Sequence, residues 1–255
     1  MSHPNSPIAL ITGGSRGLGK STALHLARQG TDVLLTYRSQ ATQAQAVVAE
    51  IEALGRRAVA LPLDMADSAR FDPFASEVRQ ALARHWQREH FNFLVNNAGE
   101  GAHASLMETT EAQLDALYQV HFKGVFFLTQ KLLPLVADGG RIVNVSSGLA
   151  RFSLPGYAAY ASMKGAVEVL TRYMAKELGP RGIAVNVVAP GAIETDFGGG
   201  MVRDNAQLNG FIASQTALGR VGLPDDIGGM IASLLSDGNR WINGQRIEAS
   251  GGIFL

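Results

Sequence analysis

The stretch IALITGGSRGLGK, residues 8 to 20, decides how this chain folds. Its opening apolar run, 8–12, predicts a buried strand, and a helical pattern follows over 17–29 and ends at Gly30. The glycines between them permit a tight turn and a close approach of the backbone to a phosphate. A helix N-terminus adds free N–H groups and a positive dipole end. Strand, glycine turn and helix in this order predict a dinucleotide site, with a purely structural turn as the alternative. The candidate residues are Gly13, Ser15, Arg16, Gly17, Leu18 and Gly19.

The same alternation continues along the whole chain. Predicted strands are 8–12, 32–37, 58–63, 93–95, 141–145, 183–188 and 246–248, and predicted helices are 17–29, 40–54, 67–88, 111–136, 156–178 and 224–235. Near-continuous apolar strands indicate a parallel sheet covered on both faces. We therefore predict an α/β protein, one Rossmann domain over 1–255. Its doubly wound parallel sheet has about seven strands, with helices on both faces.

The bulk composition excludes several function classes. The 22 basic and 22 acidic residues balance and form no like-charged run, so neither a nucleic acid nor a membrane is expected as a partner. The absence of cysteine removes disulfides and thiolate zinc sites, and we expect no metal site. The first residues lack the pattern of a signal peptide, and no apolar run approaches the roughly 20 residues of a membrane span. These features favour a cytoplasmic protein.

One long segment, 191–218, shows no clear period. It contains three consecutive glycines at 198–200 and the apolar residues Phe197, Met201 and Phe211. Loops of this length in a compact domain are usually functional, which predicts a substrate lid, although a decorative insertion is the alternative.

The choice of cofactor is visible at the end of the second predicted strand. NAD enzymes tend to place an acidic residue there, but this chain has Tyr37, Arg38 and Ser39. The Arg38 guanidinium can bind a 2′-phosphate, and Arg16 is a second cation that could reach it. Two solvated surface arginines are the alternative. The pattern favours NADP(H) over NAD.

A second set of residues suggests proton transfer. Tyr160 and Lys164 are four residues apart, so in a helix they share one face. A nearby ammonium lowers a phenol pKa from its usual value of about 10, which would allow proton transfer near neutral pH. Ser147 follows an apolar run, where its hydroxyl could bind a substrate oxygen. Tyr-x-x-x-Lys alone is a weak signal that chance can supply.

Taken together, these residues resemble the short-chain dehydrogenase/reductase family in its compact single-domain form, of the 3-oxoacyl-reductase-like ketoreductase type. The resemblance covers nearly the whole chain. It rests on the glycine turn 12–19, Asp64, 96–99 (Asn-Asn-Ala-Gly), Ser147, Tyr160, Lys164, Asn186, Pro190-Gly191 with Thr195, Gly244-Gln245 and Gly251-Gly252.

The resemblance implies roles for further residues. Asp64 and the Met65 backbone would hold the adenine, and Lys164 would also bind the nicotinamide ribose beside Tyr160. Further cofactor contacts would come from Asn96, Asn97, Ala98, Gly99, Pro190, Gly191, Ile193 and Thr195. It also implies a homotetramer, or a homodimer, that assembles through the helices over 111–136 and 157–178.

The chain departs from the family pattern at His121, where the family has an asparagine that helps to hold a proton-relay water. His121 could take part in the relay, since it both donates and accepts, or it could pack for shape. Asn92 and Glu248 stand where an aspartate is usual, and we expect no chemical role for either.

The expected reaction is NADPH-dependent reduction of a ketone or aldehyde, with Ser147, Tyr160, Lys164 and His121 as catalytic residues. The alternatives are an NADP-dependent alcohol dehydrogenase that works mainly in oxidation and a non-catalytic NADP-binding regulator. Pocket candidates are Glu100, His103, 149–157, Phe197, Met201 and Phe211. They favour an uncharged or aromatic carbonyl compound. Arg151 and Arg203 are too few cations to indicate a carrier-linked acyl substrate.

Overall fold

The structure, a computed structural model, describes residues 6–255. Residues 1–5, which belong to the segment used to judge the signal peptide and to the predicted domain 1–255, lie outside the described residues. Within 6–255 the strands are β1 (Ile8–Ile11), β2 (Asp32–Tyr37), β3 (Ala58–Pro62), β4 (Phe91–Asn96), β5 (Val136–Val145), β6 (Ala184–Pro190) and β7 (Arg246–Ala249). The α-helices of the same part of the chain are α1 (Gly17–Arg28), α2 (Ala41–Ala53), α3 (Phe71–Trp86), α4 (Glu111–Tyr118), α5 (Gly124–Leu132), α6 (Ala158–Leu178), α7 (Met201–Asp204), α8 (Ala206–Ser214) and α9 (Pro224–Leu234).

Across residues 6–255 the seven strands form one parallel sheet in the order β3-β2-β1-β4-β5-β6-β7. The chain runs outward from β1 to β3, then returns to β4 on the other side of β1. The carboxyl ends of β1 and β4 therefore flank a topological switch point, where ligands bind in open parallel sheets. The predicted α/β Rossmann fold is confirmed.

Apolar residues fill both faces of the sheet. In β1, Ile8 and Leu10 face the core formed with α3, α5 and α6, whereas Ala9 and Ile11 face the core formed with α1, α2 and α9. Successive strand side chains alternate between faces, so both faces of a central strand must be apolar. Each fully buried large aliphatic side chain contributes about 1.5–3 kcal/mol.

The prediction of a single α-helix over 111–136 is wrong, because the α-helix is interrupted in its middle and ends before residue 136. Thr110 begins α4 with a capping box that uses Gln113, but a π-helical turn, Gln119–Lys123, separates α4 from α5. A 3₁₀ turn, Leu133–Leu135, ends this helical segment, and Val136 already belongs to β5. Apolar spacing predicts helix of either type and does not reveal a single wider turn.

The segment 191–218 is more regular than predicted. A 3₁₀ turn at Phe197–Gly200 leads into α7, and α8 follows, with the Asn205 side chain accepting from two backbone N–H groups at its start. Gly198, Gly199 and Gly200 all have positive φ, between 60° and 77°, where other residues are strained. Two short helices on a glycine run give no period long enough to recognise in the sequence.

Candidate active site

The glycine turn after β1 is held by main-chain and amide contacts. Gly13 has a φ of +66°, and a Cβ there would lie 2.9 Å from the Ala98 Cα. The Asn97 side-chain amide donates to the carbonyl oxygens of Thr12, at 2.9 Å, and Gly13, at 3.1 Å. Glycine is therefore required at 13 both by backbone conformation and by the closeness of the loop after β4.

Thr12 ties the ends of β1 and β4 together. Its hydroxyl oxygen accepts from the backbone N–H groups of Asn97 and Ala98, each at 3.0 Å. Asn97 and Ala98, two of the predicted cofactor residues, thus lie beside the glycine turn, and the Asn97 amide braces it. Gly99 follows them and lies against the His121 ring.

Asn96 does not line the cofactor cleft, so the role inferred for it is corrected. Its side chain is buried and donates to the Thr129 hydroxyl at 3.0 Å and to the Asn144 side-chain oxygen at 2.8 Å. The last residue of β4 points between the sheet and α5, and the side-chain alternation of a strand explains this direction.

The two arginines predicted to favour NADP(H) are exposed and each is paired with a carboxylate. Arg38 lies 3.3 Å from Glu100, and Arg16 lies 3.5 Å from Asp196, with arginine side chains 62% and 56% exposed. Tyr37 ends β2 and Ser39 follows Arg38 in an exposed turn. Both cations flank the glycine turn, where a 2′-phosphate would need them.

The remaining predicted cofactor residues lie mainly in the glycine turn and in the segments that follow β3 and β6. The Asp64 carboxylate accepts from the Ala66 N–H and fixes the turn after β3, and a Cβ at Gly124 would lie 2.5 Å from the Met65 carbonyl oxygen. Thr195 lies opposite the glycine turn, 3.6 Å from a Cβ at Gly17. The other positions are a partly buried Leu18 and Ser15, Pro190 at the end of β6, Gly191 against Ser250, and Ile193 paired with Gly222.

Tyr160 and Lys164 share one face of α6 and are both buried. The Lys164 Nζ donates to the Val145 carbonyl oxygen at 2.7 Å and lies 5.6 Å from the centre of the Tyr160 ring. Ser147 follows β5, and its Oγ accepts from the Leu149 N–H at 3.2 Å. This contact uses one of the two lone pairs of the hydroxyl oxygen and leaves its single proton available for donation towards Tyr160 or a substrate oxygen.

Burial dominates the protonation of this cluster. It raises the pKa of the Tyr160 phenol above its usual value, and a hydrogen bond with Ser147 opposes that shift. Burial also lowers the pKa of Lys164 to about 7. The expectation that Lys164 lowers the tyrosine pKa is therefore wrong for the protein by itself, because the lysine is desolvated together with the phenol.

His121 lies in the π-helical turn with its ring edge-on to Tyr160, 5.2 Å between ring centres. Its Nε2 is 2.7 Å from the Glu100 carbonyl oxygen. Burial, and then the nearby Lys164, lower the pKa of His121 to about 3, so the ring is neutral at physiological pH. Its Nδ1 is buried and has no protein partner among the described residues.

Comparison with known proteins agrees with this geometry. A family model described as enoyl-(acyl carrier protein) reductase matches residues 13–253. A hydroxynaphthalene reductase-like protein of Metarhizium brunneum is 36% identical over 96% of this chain and 94% of its own length. The reductase LugOII, whose structure is described as catalysing a keto-reduction, superposes with a TM-score of 0.92 at 38% identity, over 98% of both chains. A short chain dehydrogenase from Burkholderia cenocepacia, solved in complex with NADP, gives 0.88 at 38% identity, over 96% of this chain and 97% of its own.

The chain belongs to the short-chain dehydrogenase/reductase family. The resemblance stated from the sequence is thus confirmed.

The short-chain dehydrogenase/reductase also contains functional candidates that the sequence did not reveal. Glu168, one turn after Lys164 on α6, accepts from the Ser146 hydroxyl at 2.7 Å. Glu248, for which no chemical role was expected, binds Arg151 through two hydrogen bonds of 2.7 Å. The spacing of Tyr160, Lys164 and Glu168 on one helix face was the available signal. Asn92, the other departure, accepts from the Ile8 N–H and braces β1.

Several aromatic side chains lie in the region of Tyr160. The Phe197 ring lies 5.8 Å from the Tyr160 ring, and His103 contacts Tyr157 edge-on at 5.0 Å. Phe152 packs on Phe254 at 4.9 Å. Of the other pocket candidates, Met201 and Phe211 are half exposed on the predicted lid, and the Glu100 carboxylate is directed to Arg38. The residues closest to the tyrosine are therefore mainly aromatic.

Residues 6–255 contain no group of three or more histidine or acidic side chains placed to hold a metal ion. No helix in this part of the enzyme is both long and apolar enough to cross a membrane.

Proposed function

We propose that this short-chain dehydrogenase/reductase reduces a ketone or aldehyde to an alcohol with NADPH, and that Ser147, Tyr160 and Lys164 carry the proton chemistry. The observation that carries the proposal is the meeting of these three residues at the carboxyl end of β5, on the same edge of the sheet as the glycine turn. The enzyme is an NADP-dependent oxidoreductase, in agreement with its reductase relatives and with the NADP complex of the Burkholderia protein.

The cleft fits a dinucleotide with a 2′-phosphate. Glycine at 13 has no side chain that would keep a phosphate away from the backbone. The N-terminus of α1 offers unpaired N–H groups to the phosphates. No acidic residue directly follows β2, where an NAD enzyme tends to have one. Arg38 and Arg16 would bind the 2′-phosphate. The glycine turn and Thr195 would bind the diphosphate. NADPH, when bound, supplies the hydride.

The protein's own groups then position the carbonyl and supply the proton. Ser147 donates a hydrogen bond to the substrate oxygen while Tyr160 transfers its proton to that oxygen. Lys164, with a pKa of about 7, can return a proton to Tyr160 near neutral pH. The neutral His121 ring, bound to the Glu100 carbonyl, is placed to pack against Tyr160, and this geometry favours shape over a charged relay.

The reductase relatives support reduction as the main direction. Burial keeps Tyr160 protonated at neutral pH, which suits an acid that protonates the forming alkoxide.

We infer an aromatic or otherwise apolar carbonyl substrate. Phe197 and Tyr157 face the catalytic tyrosine region, and the relatives include a hydroxynaphthalene reductase-like protein. The cations near the mouth are few: Arg151 pairs with Glu248, and Arg203 pairs with Asp196 and Asp204. Two arginines do not form the basic patch that a carrier-linked acyl group would need.

We also propose a homotetramer in the cytoplasm. Tyr118, Phe126 and Phe127 expose aromatic surface on α4 and α5, and Val169 and Tyr173 do so on α6. Apolar patches of this kind mark interfaces. Sedimentation equilibrium tests the assembly, and a monomer at micromolar concentration would refute it.

The test of the reaction is Tyr160→Phe, assayed by NADPH absorbance at 340 nm with bicyclic aromatic ketones and small aliphatic ketones. The variant should lose at least about 10²-fold in kcat, within the range for removing a general acid, and should keep its NADPH Kd. Near-full turnover in the variant would refute the role of Tyr160. A wild type that binds NADPH tightly but turns over no ketone or alcohol would support a regulator instead.

A further inference from the structure

Four charged side chains form a continuous chain behind the catalytic serine. Arg246 on β7 donates to Glu168 on α6 at 2.8 Å and to Glu248 at 2.9 Å. Glu248 then receives both donors of the Arg151 guanidinium fork at 2.7 Å. Two positive and two negative charges therefore alternate from α6, across the sheet edge, to the segment after Ser147.

The two ends of this chain hold the residues on either side of Ser147. Glu168 accepts from the hydroxyl of Ser146, and Arg246 lies 3.5 Å from the Ser147 carbonyl oxygen. Arg151 directly follows the 3₁₀ turn Gly148–Ala150, and Ser147 is the N-cap of that turn. The hydrogen bond from the Leu149 N–H that orients the Ser147 Oγ belongs to this turn. Displacing either end of the turn would move that hydroxyl.

Three members of the network are largely buried, and the fourth is more exposed. The Glu168 and Glu248 side chains are only 14% and 19% exposed, and Arg246 is 24% exposed, whereas Arg151 is 38% exposed. A paired guanidinium fork on a carboxylate fixes direction as well as distance. The hydrogen bonds from Arg151 lower the pKa of Glu248 to about 2, so this carboxylate stays charged across the working pH range.

The same arginine also binds the end of the chain. Arg151 donates to the Ile253 carbonyl at 2.9 Å, and the Phe254 ring packs on Phe152. Ser250 donates to Glu248 at 2.7 Å. Arg151 and Glu248 thus join the C-terminal segment to the turn Gly148–Ala150 that follows Ser147. The pair is therefore connected to the site and is not an isolated surface ion pair.

We propose that Glu248, acting through Arg151 and Arg246, is a positioning residue that sets the direction of the Ser147 hydroxyl towards the substrate oxygen. The inference rests on the proposed reduction, because Ser147 must bind the carbonyl for its direction to matter. Removing an ion pair that served only stability would lower the melting temperature, and its effect on kcat would not depend on Ser147.

The test is a double-mutant cycle between Glu248→Gln and Ser147→Ala in the ketone reduction assay. Glu248→Gln should lower kcat about tenfold and leave the NADPH Kd within twofold. In the Ser147→Ala background the same change should lower kcat less than twofold, since the group it positions is gone. Asp138→Asn is the control, because Asp138 pairs with Arg181 at 2.7 Å near the start of β5, at the opposite end of that strand from Ser147. It should leave kcat unchanged.

An unchanged kcat in Glu248→Gln, or an equal loss in both backgrounds, would overturn the proposal. If Glu248→Gln fails to bind NADPH, Arg151→Lys serves in its place, since lysine keeps the charge but loses the fork, and the same tenfold loss is expected. Wild type and Tyr160→Phe are run beside them. An inactive wild type would refute the proposed reduction and this inference together, whereas an active wild type with unaffected Glu248 variants would refute the inference alone.

Discussion

Tyr160 and Lys164 differ from Arg38 and Arg16, the arginines beside the glycine turn, in how far they are exposed to solvent. Tyr160 and Lys164 are buried, and burial itself moves their pKa values. Arg38 and Arg16 are more than half exposed and are held by the carboxylates of Glu100 and Asp196. The groups proposed to carry the proton chemistry therefore lie in the interior, whereas the cations proposed to bind the phosphate remain in ion pairs at the surface.

This difference predicts where substitutions act. A buried, desolvated group changes both turnover and folding stability, because its charge is costly in the interior. An exposed, paired cation contributes little to stability but a charge-assisted contact to a bound phosphate. Three substitutions separate these effects.

Lys164→Met should produce the largest change and affect both properties. We expect a loss of at least about 10²-fold in kcat, since proton supply to Tyr160 is removed. The variant should gain about 1 kcal/mol in unfolding free energy at pH 7 or below, because a buried ammonium is replaced by an apolar group of similar length. Urea unfolding without cofactor measures this gain.

The pH dependence checks the same variant. The pKa of Lys164 is about 7 in the folded protein, below the usual 10.5 of the unfolded chain. Between these values the unfolded chain binds more protons, so the wild type gains stability from this group as the pH rises from 7 to 10.5. The advantage of Lys164→Met should shrink over that window, and an advantage that grew would contradict the burial argument.

Arg38→Gln should have an intermediate effect on one property alone. The NADPH Kd should rise about 10- to 100-fold, as for a lost hydrogen bond to a charged group, and NADH affinity should stay within twofold. Fluorescence titration with both cofactors measures this ratio. Arg70→Gln is the control, since Arg70 and Glu77 form a comparably exposed ion pair and neither is a predicted cofactor residue. An equal loss for NADH would show that Arg38 does not contact the 2′-phosphate.

Glu100→Gln should have the smallest effect, and in the opposite direction. It frees Arg38 from a competing carboxylate, so the NADPH Kd should fall about two- to fivefold, in the range of exposed ion pairs. The gain should fade at 1 M salt, where such charges are screened. The backbone of Glu100, which holds His121, is untouched. A weaker NADPH affinity in the variant would show that Glu100 orients Arg38 for the phosphate.

The sequence predicted the sheet and most helices because their signals are local. Apolar runs such as 32–37 and the glycine turn need no distant partner to be recognised. The Tyr160 and Lys164 pair was visible for the same reason, since one helix turn joins them. Their burial, which reverses the expected tyrosine shift, depends on packing against β5 and α4 to α5 and could not be read from spacing.

What the sequence missed depends on contacts between distant segments. Arg151 meets Glu248 only because β7 lies beside β6 and the chain end returns over the serine turn. No periodicity connects residues so far apart. Asn96 was misassigned for a related reason, since a one-residue difference in strand position reverses the direction of a side chain.

The π turn at Gln119–Lys123 acts as one extra residue within an otherwise α-helical rod. Each residue of an α-helix advances about 100° around its axis. Because the wider turn absorbs that residue, the residues of α5 keep the faces that an uninterrupted helix with one residue fewer would give them. Leu128 and Leu132 therefore remain fully buried in the core. The extra residue changes only the turn itself, where the His121 ring lies edge-on to Tyr160. A relative with one residue fewer here would keep the packing of α5 and would differ mainly in the residues beside the tyrosine.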